Sequence, residues 1–197
     1  MKVIHLISGG DSGGAKTHVL SLLQHLNQTI TAQLVCFRDG PFAEEARQMG
    51  IPTMICGGNN VFRTRRKLAA YIREGGYEII HCHGSRANMI GAMLRKVTGL
   101  PVVTTVHSDY KLDYMGRPLS HLTFGNINAW ALRQLDYRIG VSDAMVDLLI
   151  QRGFPPDRFY AIYNGIDFTP APNQGDRLEY LRSLGADVDQ NSVVVGI

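Results

Sequence analysis

The chain has 197 residues, 45% of them hydrophobic and 19% charged. That balance excludes a disordered, collagenous or coiled-coil chain, and the length is enough to bury a core without disulfide or metal staples. Twenty Lys and Arg against seventeen Asp and Glu give a net charge of +3, too small a surplus to point to nucleic acid, so no nucleic-acid partner is expected. The basic residues are mostly arginine, which suits bidentate contact with phosphate or carboxylate. Cys36, Cys56 and Cys82 are an odd set without metal-ligand spacing, and they read as reduced thiols of a cytoplasmic protein. The apolar start, Met1–Ile7, is short and runs into Gly9-Gly10 without a cleavage pattern, and no apolar run approaches the roughly 18 residues of a membrane span.

In chain order, short Val- and Ile-rich runs alternate with amphipathic ones. Strands are predicted at Val3–Ile7, Ala32–Phe37, Thr53–Ile55, Ile79–His81, Val102–Val106, Tyr137–Val141 and Phe159–Ile162. Several lack a polar face, as strands covered on both sides do. Helices are predicted at Ala15–Leu26, Phe42–Gln48, Arg63–Arg73, Ala87–Val97, Leu119–Leu135 and Ala144–Gln151, the last capped by Ser142 or Asp143. This alternation predicts an α/β, three-layer Rossmann-like domain with a mostly parallel sheet of about seven strands. The stretch His107–Leu119 is too long and aromatic for a minimal connection, which marks it as a functional loop. Thr169–Asn173 reads as a linker. Gly175–Leu184 reads as a short helix, and Val193–Ile197 as a buried strand.

Five segments could carry chemistry. Ser8-Gly9-Gly10-Asp11-Ser12-Gly13-Gly14-Ala15-Lys16-Thr17 joins the first strand to the first helix. Its glycines let backbone N–H groups approach an anion at a helix start. It matches neither the dinucleotide fingerprint nor the P-loop, and the competing reading is a glycine-rich turn without a ligand. His81-Cys82-His83-Gly84-Ser85-Arg86 ends the fourth strand, with His81 and His83 on one face. Thr104-Thr105-Val106-His107-Ser108-Asp109 ends the fifth, so His83 and His107 are expected to face one cleft. A metal on His83, His107 and Asp109 is conceivable, but two alternate histidines on a strand are common without one, and no metal is expected. Arg63, Arg65, Arg66 and Lys67 crowd the first turns of a helix beside Phe62. They read either as a solvated basic face or as a patch for anionic lipid or another polyanion. Tyr163-Asn164-Gly165-Ile166-Asp167 follows the last strand and is otherwise only a turn.

Taken together, Gly13-Gly14, Thr105-Val106-His107, Val141-Ser142 and Asn164-Gly165-Ile166-Asp167 resemble the amino-terminal domain of GT-B glycosyltransferases. The resemblance is greatest to the retaining family-4, or "group 1", enzymes, and it covers Met1 to about Asp167. It implies two Rossmann-like domains around a cleft, the amino domain binding mainly the acceptor and the carboxyl domain a nucleotide-sugar. It implies that His107 sits near the transferred sugar as the catalytic position. Gly13, Gly14, Lys16, His83, Arg86, Ser108, Asp109 and Asn164 are the substrate-binding candidates. The donor is a substrate, so no cofactor is implied. The expected acceptor is a glycan, a lipid-linked molecule or a small molecule, and on the sharper reading of Arg63, Arg65, Arg66 and Lys67 a peripheral membrane contact is expected there.

The family's paired glutamates and phosphate-gripping basic residues find no match after Asp167. The expectation is therefore an amino-terminal fragment, with residues 1–168 as the acceptor-side domain. Residues 169–197 are expected to be the linker, a helix and the first strand of a second domain. Such a fragment is expected to lack turnover without leaving-group stabilisation, and Val193–Ile197 either to dock against its own domain or to pair with the same segment of a second copy. Two alternatives stay open. One is a non-hydrolysing sugar-nucleotide epimerase using Asp109 or Asp113. The other is a non-catalytic binding module of the same fold.

Overall fold

All seven apolar runs form strands: β1 (Lys2–Ile7), β2 (Thr31–Cys36), β3 (Thr53–Ile55), β4 (Ile79–His83), β5 (Val102–Val106), β6 (Tyr137–Gly140) and β7 (Phe159–Ala161). They pair in the order β3-β2-β1-β4-β5-β6-β7, and every pairing is parallel. The computed structural model describes residues 1–10, 14–58, 60–109, 126–165 and 176–194. Gly13, Asp113, Ile166 and Asp167 lie outside the described residues, as do the linker and most of the loop after His107.

The helices are α1 (Gly14–Leu26), α2 (Pro41–Gln48), α3 (Val61–Gly75), α4 (Ser85–Thr98), α5 (Asn126–Gln134), α6 (Asp143–Gln151) and α7 (Arg177–Ser183). Their ends follow local chemistry. The Asn60 side chain accepts a 3.0 Å bond from the Arg63 N–H to start α3, and Gly76 stops it at φ 65°. Ser142, rather than Asp143, caps α6 by accepting from the Met145 N–H. Of the predicted helix Leu119–Leu135, the described part is α5.

Strand alternation sorts side chains between the two faces of the sheet. Ile4, Leu6, Val35, Ile80 and Cys82 pack in one apolar cluster with residues of α3 and α4. Ile7, Leu34 and Cys36 point the other way and pack with Val19, Leu20 and Leu23 of α1 and Phe42 of α2. Two glycines permit close approach. Gly91 of α4 sits where a Cβ would lie 2.4 Å from the Cys82 Sγ, so α4 can press onto β4. Gly9 adopts φ +84° in the turn after β1, where a Cβ would lie 2.5 Å from the Arg38 carbonyl oxygen. Past the sheet centre, the buried Arg138 of β6 donates to the carbonyls of Leu132 and Leu135. It thereby satisfies groups that the end of α5 leaves open.

The chain divides into two compact units, Met1–Gly165 and Ile166–Ile197. The second carries α7, whose N-cap is Asp176. The strand expected at Val193–Ile197 is not found in its described part. Val193 and Val194 lie outside any strand, and Val193 is 90% exposed. A β-prone run becomes a strand only by pairing its backbone, and among the described residues nothing pairs with these two. Residues 195–197 lie outside the described residues. No helix among the described residues is long and apolar enough to cross a membrane.

Candidate active site

Strand order reverses between β1 and β4, and the carboxyl ends of β1, β4 and β5 meet there. Register sets the contents of that edge. His5 of β1 lies opposite His81 of β4, Ile7 opposite His83, and His83 opposite Thr105 of β5. Alternation turns this set toward α1, which brings His18 down onto it. The His5 and His81 rings lie 4.7 Å apart, His81 and His83 4.4 Å, and His18 and His107 4.8 Å edge-on. His5 Nδ1 is 3.1 Å from His83 Nε2, and His81 Nε2 is 2.8 Å from the Thr105 hydroxyl. Asn164 hydrogen-bonds the His18 side chain.

Five imidazoles within one another's reach cannot all be charged. Burial removes the water that would stabilise a cation, and each neighbour adds repulsion. Desolvation, with His18 as a second cause, lowers His5 to about 3 and His107 to about 4. Desolvation and then the surrounding histidines hold His81 and His83 well below the usual imidazole value. Desolvation also lowers His18, against the opposing bond from Asn164. The cluster is therefore neutral at physiological pH. Four of its nitrogens are buried without a hydrogen-bond partner among the described residues: His5 Nε2, His18 Nε2, His83 Nδ1 and His107 Nε2. Neutral rings with unpartnered nitrogens can hydrogen-bond the hydroxyls of a ligand.

Beside the cluster lies a cavity of about 240 Å³, lined among others by Ala15, His83, Ser85, Thr105, His107 and Ser108. Its far wall includes Asn88 of α4 and Asn128 of α5. The Asn88 amide donates to Asn128 at 3.0 Å and accepts from the Thr104 hydroxyl at 2.7 Å. The Thr104 hydroxyl oxygen also lies 3.1 Å from the Cys82 carbonyl oxygen, so the two acceptors share its single proton. This fully bonded ladder fixes α4 and α5 against β5.

The predicted site residues divide. His83, His107 and Ser108 meet at the cavity, beside the start of α1. Gly14 opens α1 with nothing within 4 Å of where a side chain would begin. Asn164 joins through His18. Asp109 is ion-paired with Arg152 at 2.6 Å. Lys16 pairs with Glu45 of α2. Arg86 stacks over the Phe37 ring at 5.3 Å and donates to the Gly58 carbonyl. The basic residues lie on α3, with Arg63, Arg66 and Lys67 exposed and Arg65 half-buried. Sequence reasoning missed His5, His18, Asn88 and Asn128. A polar residue inside the apolar run of β1 was the available signal for His5.

A doubly wound parallel sheet with a polar cleft at its switch point is a Rossmann-like domain, the class that also forms each half of the GT-B glycosyltransferases. The chain belongs to Glycosyltransferase Family 4, whose family model matches residues 12–169. It is 24% identical over 170 residues to the UDP-Gal:alpha-D-GlcNAc-diphosphoundecaprenol alpha-1,3-galactosyltransferase of Escherichia coli, covering 80% of this chain and 43% of that protein. It is 27% identical over 164 residues to the D-inositol 3-phosphate glycosyltransferase of Thermobispora bispora, covering 76% of this chain and 35% of that protein. The chain thus spans about half or less of the length of the curated relatives it matches. Among solved structures it resembles Anabaena Alr3699/HepE in complex with UDP-glucose, with a TM-score of 0.77, 21% identity and coverage of 94% of this chain and 50% of that one. A UDP-GlcNAc 2-epimerase from Methanocaldococcus jannaschii shares the fold at a TM-score of 0.62 and 12% identity, covering 83% of this chain and 46% of that one.

Proposed function

We propose that this domain is the acceptor-side half of an enzyme that moves a sugar, with retention, from a nucleotide-sugar to an acceptor. The observation that carries the reading is His107: a neutral ring at the lip of the cleft, with its Nε2 unpartnered. Such a ring can hold a sugar hydroxyl in place without competing for a proton. The Anabaena neighbour's complex with UDP-glucose supports a nucleotide-sugar as donor. The diphosphoundecaprenol in the name of the Escherichia coli relative supports a lipid-linked acceptor. In this reading the chain works in the cytoplasm, at the inner face of a membrane. The ion pair of Asp109 with Arg152 weighs against its use as an epimerase acid or base.

The test uses the full-length enzyme with a panel of nucleotide-sugars and lipid-linked or glycan acceptors, followed by mass spectrometry and NMR of the product. The expected result is acceptor-dependent release of nucleoside diphosphate and a product that keeps the donor's anomeric configuration. Conversion of the donor sugar without any acceptor would overturn the reading in favour of an epimerase.

The basic start of α3 fits the same reading. Phe62 is 66% exposed, and the Arg65 guanidinium stands 5.8 Å over its ring. Buried Thr64, Leu68 and Ile72 hold the opposite side of the helix to the core, so Arg63, Arg66 and Lys67 are free to meet a charged surface. Binding to phosphatidylglycerol vesicles is expected to weaken steeply with salt, because screening shortens from about 10 Å at 0.1 M to about 3 Å at 1 M. The Arg63→Glu, Arg66→Glu double variant is expected to lose most of that binding. Equal affinity for neutral and anionic vesicles in a sedimentation assay would leave α3 as a solvated face.

A further inference from the structure

We infer that Arg152 is a positioning residue of the cleft: its ion pair with Asp109 fixes the segment that carries His107 and Ser108. The pair joins groups 43 residues apart in sequence. Arg152 Nη2 donates to Asp109 Oδ2 at 2.6 Å, and the Asp109 side chain is only 6% exposed. A carboxylate this far from water depends on the cation beside it, because removing one partner leaves a buried charge uncompensated.

The place of the pair gives it its role. Val106 ends β5, and His107 and Ser108 follow at the cavity. Before that dipeptide, Val106 shares one apolar cluster with Leu149 of α6 and with Phe154. After it, Asp109 is tied to Arg152, which directly follows α6. Residues 149–154 thus hold the chain on both sides of His107-Ser108, the first hold apolar and the second ionic. Arg152 is itself placed by the end of α6. Its backbone N–H donates to the carbonyls of Leu148 and Leu149, and Leu149 is buried. A misplacement of about 1 Å can cost about 100-fold in rate, so an anchor two residues beyond His107 can govern turnover. The effect on rate rests on the proposed sugar transfer, whereas the anchoring itself does not.

The experiment compares full-length Arg152→Met, Asp109→Asn and the double variant by steady-state kinetics, urea unfolding and NMR of the histidine rings. Arg152→Met is expected to lower kcat about 10-fold while the donor KM stays within about twofold. It is also expected to lose stability, because Asp109 is left buried and unpaired by Arg152. The double variant carries neither charge, and it carries the test should Arg152→Met not fold. It is expected to regain the parent's stability yet keep the low kcat, a split that a merely structural pair would not give. Arg152→Lys, which keeps the charge without the planar fork, is expected to recover part of kcat. Arg47→Ala opens the exposed Arg47–Asp39 pair on α2 and is expected to behave as the parent does. The His107 ring signals, assigned by their absence in His107→Gln, are expected to shift in Arg152→Met and in the double variant. Parent-like kcat in the double variant overturns the inference, and so do His107 signals that do not move. A parent without transferase activity would overturn the functional reading instead, and the ring signals would still decide the anchor.

Discussion

In the full-length enzyme, His107→Ala is expected to lower the turnover of sugar transfer about 100-fold, the size of penalty that a misplacement of about 1 Å can bring. The ring stands one residue past the end of β5, a buried strand paired on both sides, so the sheet sets where its backbone leaves the strand. It is held neutral, with its pKa lowered to about 4 by burial and by His18. It should therefore act as a fixed hydrogen-bonding group and not as a general acid. Two readouts separate this role from a merely structural one. The loss should fall on kcat more than on the donor KM, and His107→Gln, which can still hydrogen-bond, should recover part of it. The pH–rate profile of the parent should show no limb from this group between about pH 5 and 8. Parent-like turnover in His107→Ala would remove His107 from the mechanism.

The second large effect concerns acid. His5 is fully buried, and its pKa drops from 6.5 to about 3. In the unfolded chain the same ring takes up a proton near pH 6.5. Between those values the unfolded state binds more protons, so stability rises with pH there. His5's contribution is fully present above about pH 6.5 and is lost as pH falls toward 3. At 1.36 kcal/mol per pKa unit, His5 alone accounts for roughly 5 kcal/mol, comparable with the whole stability of a small domain. His81 and His83 are shifted the same way and add to it. Urea unfolding in chelator-containing buffer is expected to show a plateau above about pH 7 and a steep decline below about pH 6. Stability that stays flat from about pH 7 down to about pH 4.5 would mean that the cluster admits protons or water in the folded state.

Much of this fold was legible before any coordinates. β5 reads as a strand because Val102–Val106 is β-branched throughout, which suits a pleated surface buried on both faces. α3 and α4 were readable through their stops, Gly76 and Gly99, which both take the left-handed conformation. His83 and His107 stood out because strand ends in such sheets line clefts. His5 and His18 did not. A single histidine within β1 looks like any core residue, and its neighbours are fixed only by the pairing of β1 with β4, whose partner residues lie 76 apart in sequence. Lys16 and Arg86 show how little sequence position says about where a long side chain goes. Both sit beside the cleft in sequence, yet long side chains travel to the nearest partner, here Glu45 and the Gly58 carbonyl. Val193 and Val194 lie outside any strand, because β propensity describes a preference that only a pairing neighbour can realise.

The 3.1 Å contact between His5 Nδ1 and His83 Nε2 also sets the hydrogen-bonding polarity of the cleft wall. Two neutral rings can share that contact in only two alignments, because one nitrogen must carry the proton and the other must be bare. When His5 Nδ1 carries it, His83 Nε2 accepts, and the proton of His83 resides on Nδ1 as a donor. When His83 Nε2 carries it, Nδ1 becomes a bare acceptor and the proton of His5 moves to its Nε2. The choice of tautomer on a ring at the heart of β1 thus decides whether His83 offers a donor or an acceptor. A hydroxyl can work with either alignment, whereas a cation can select only the second.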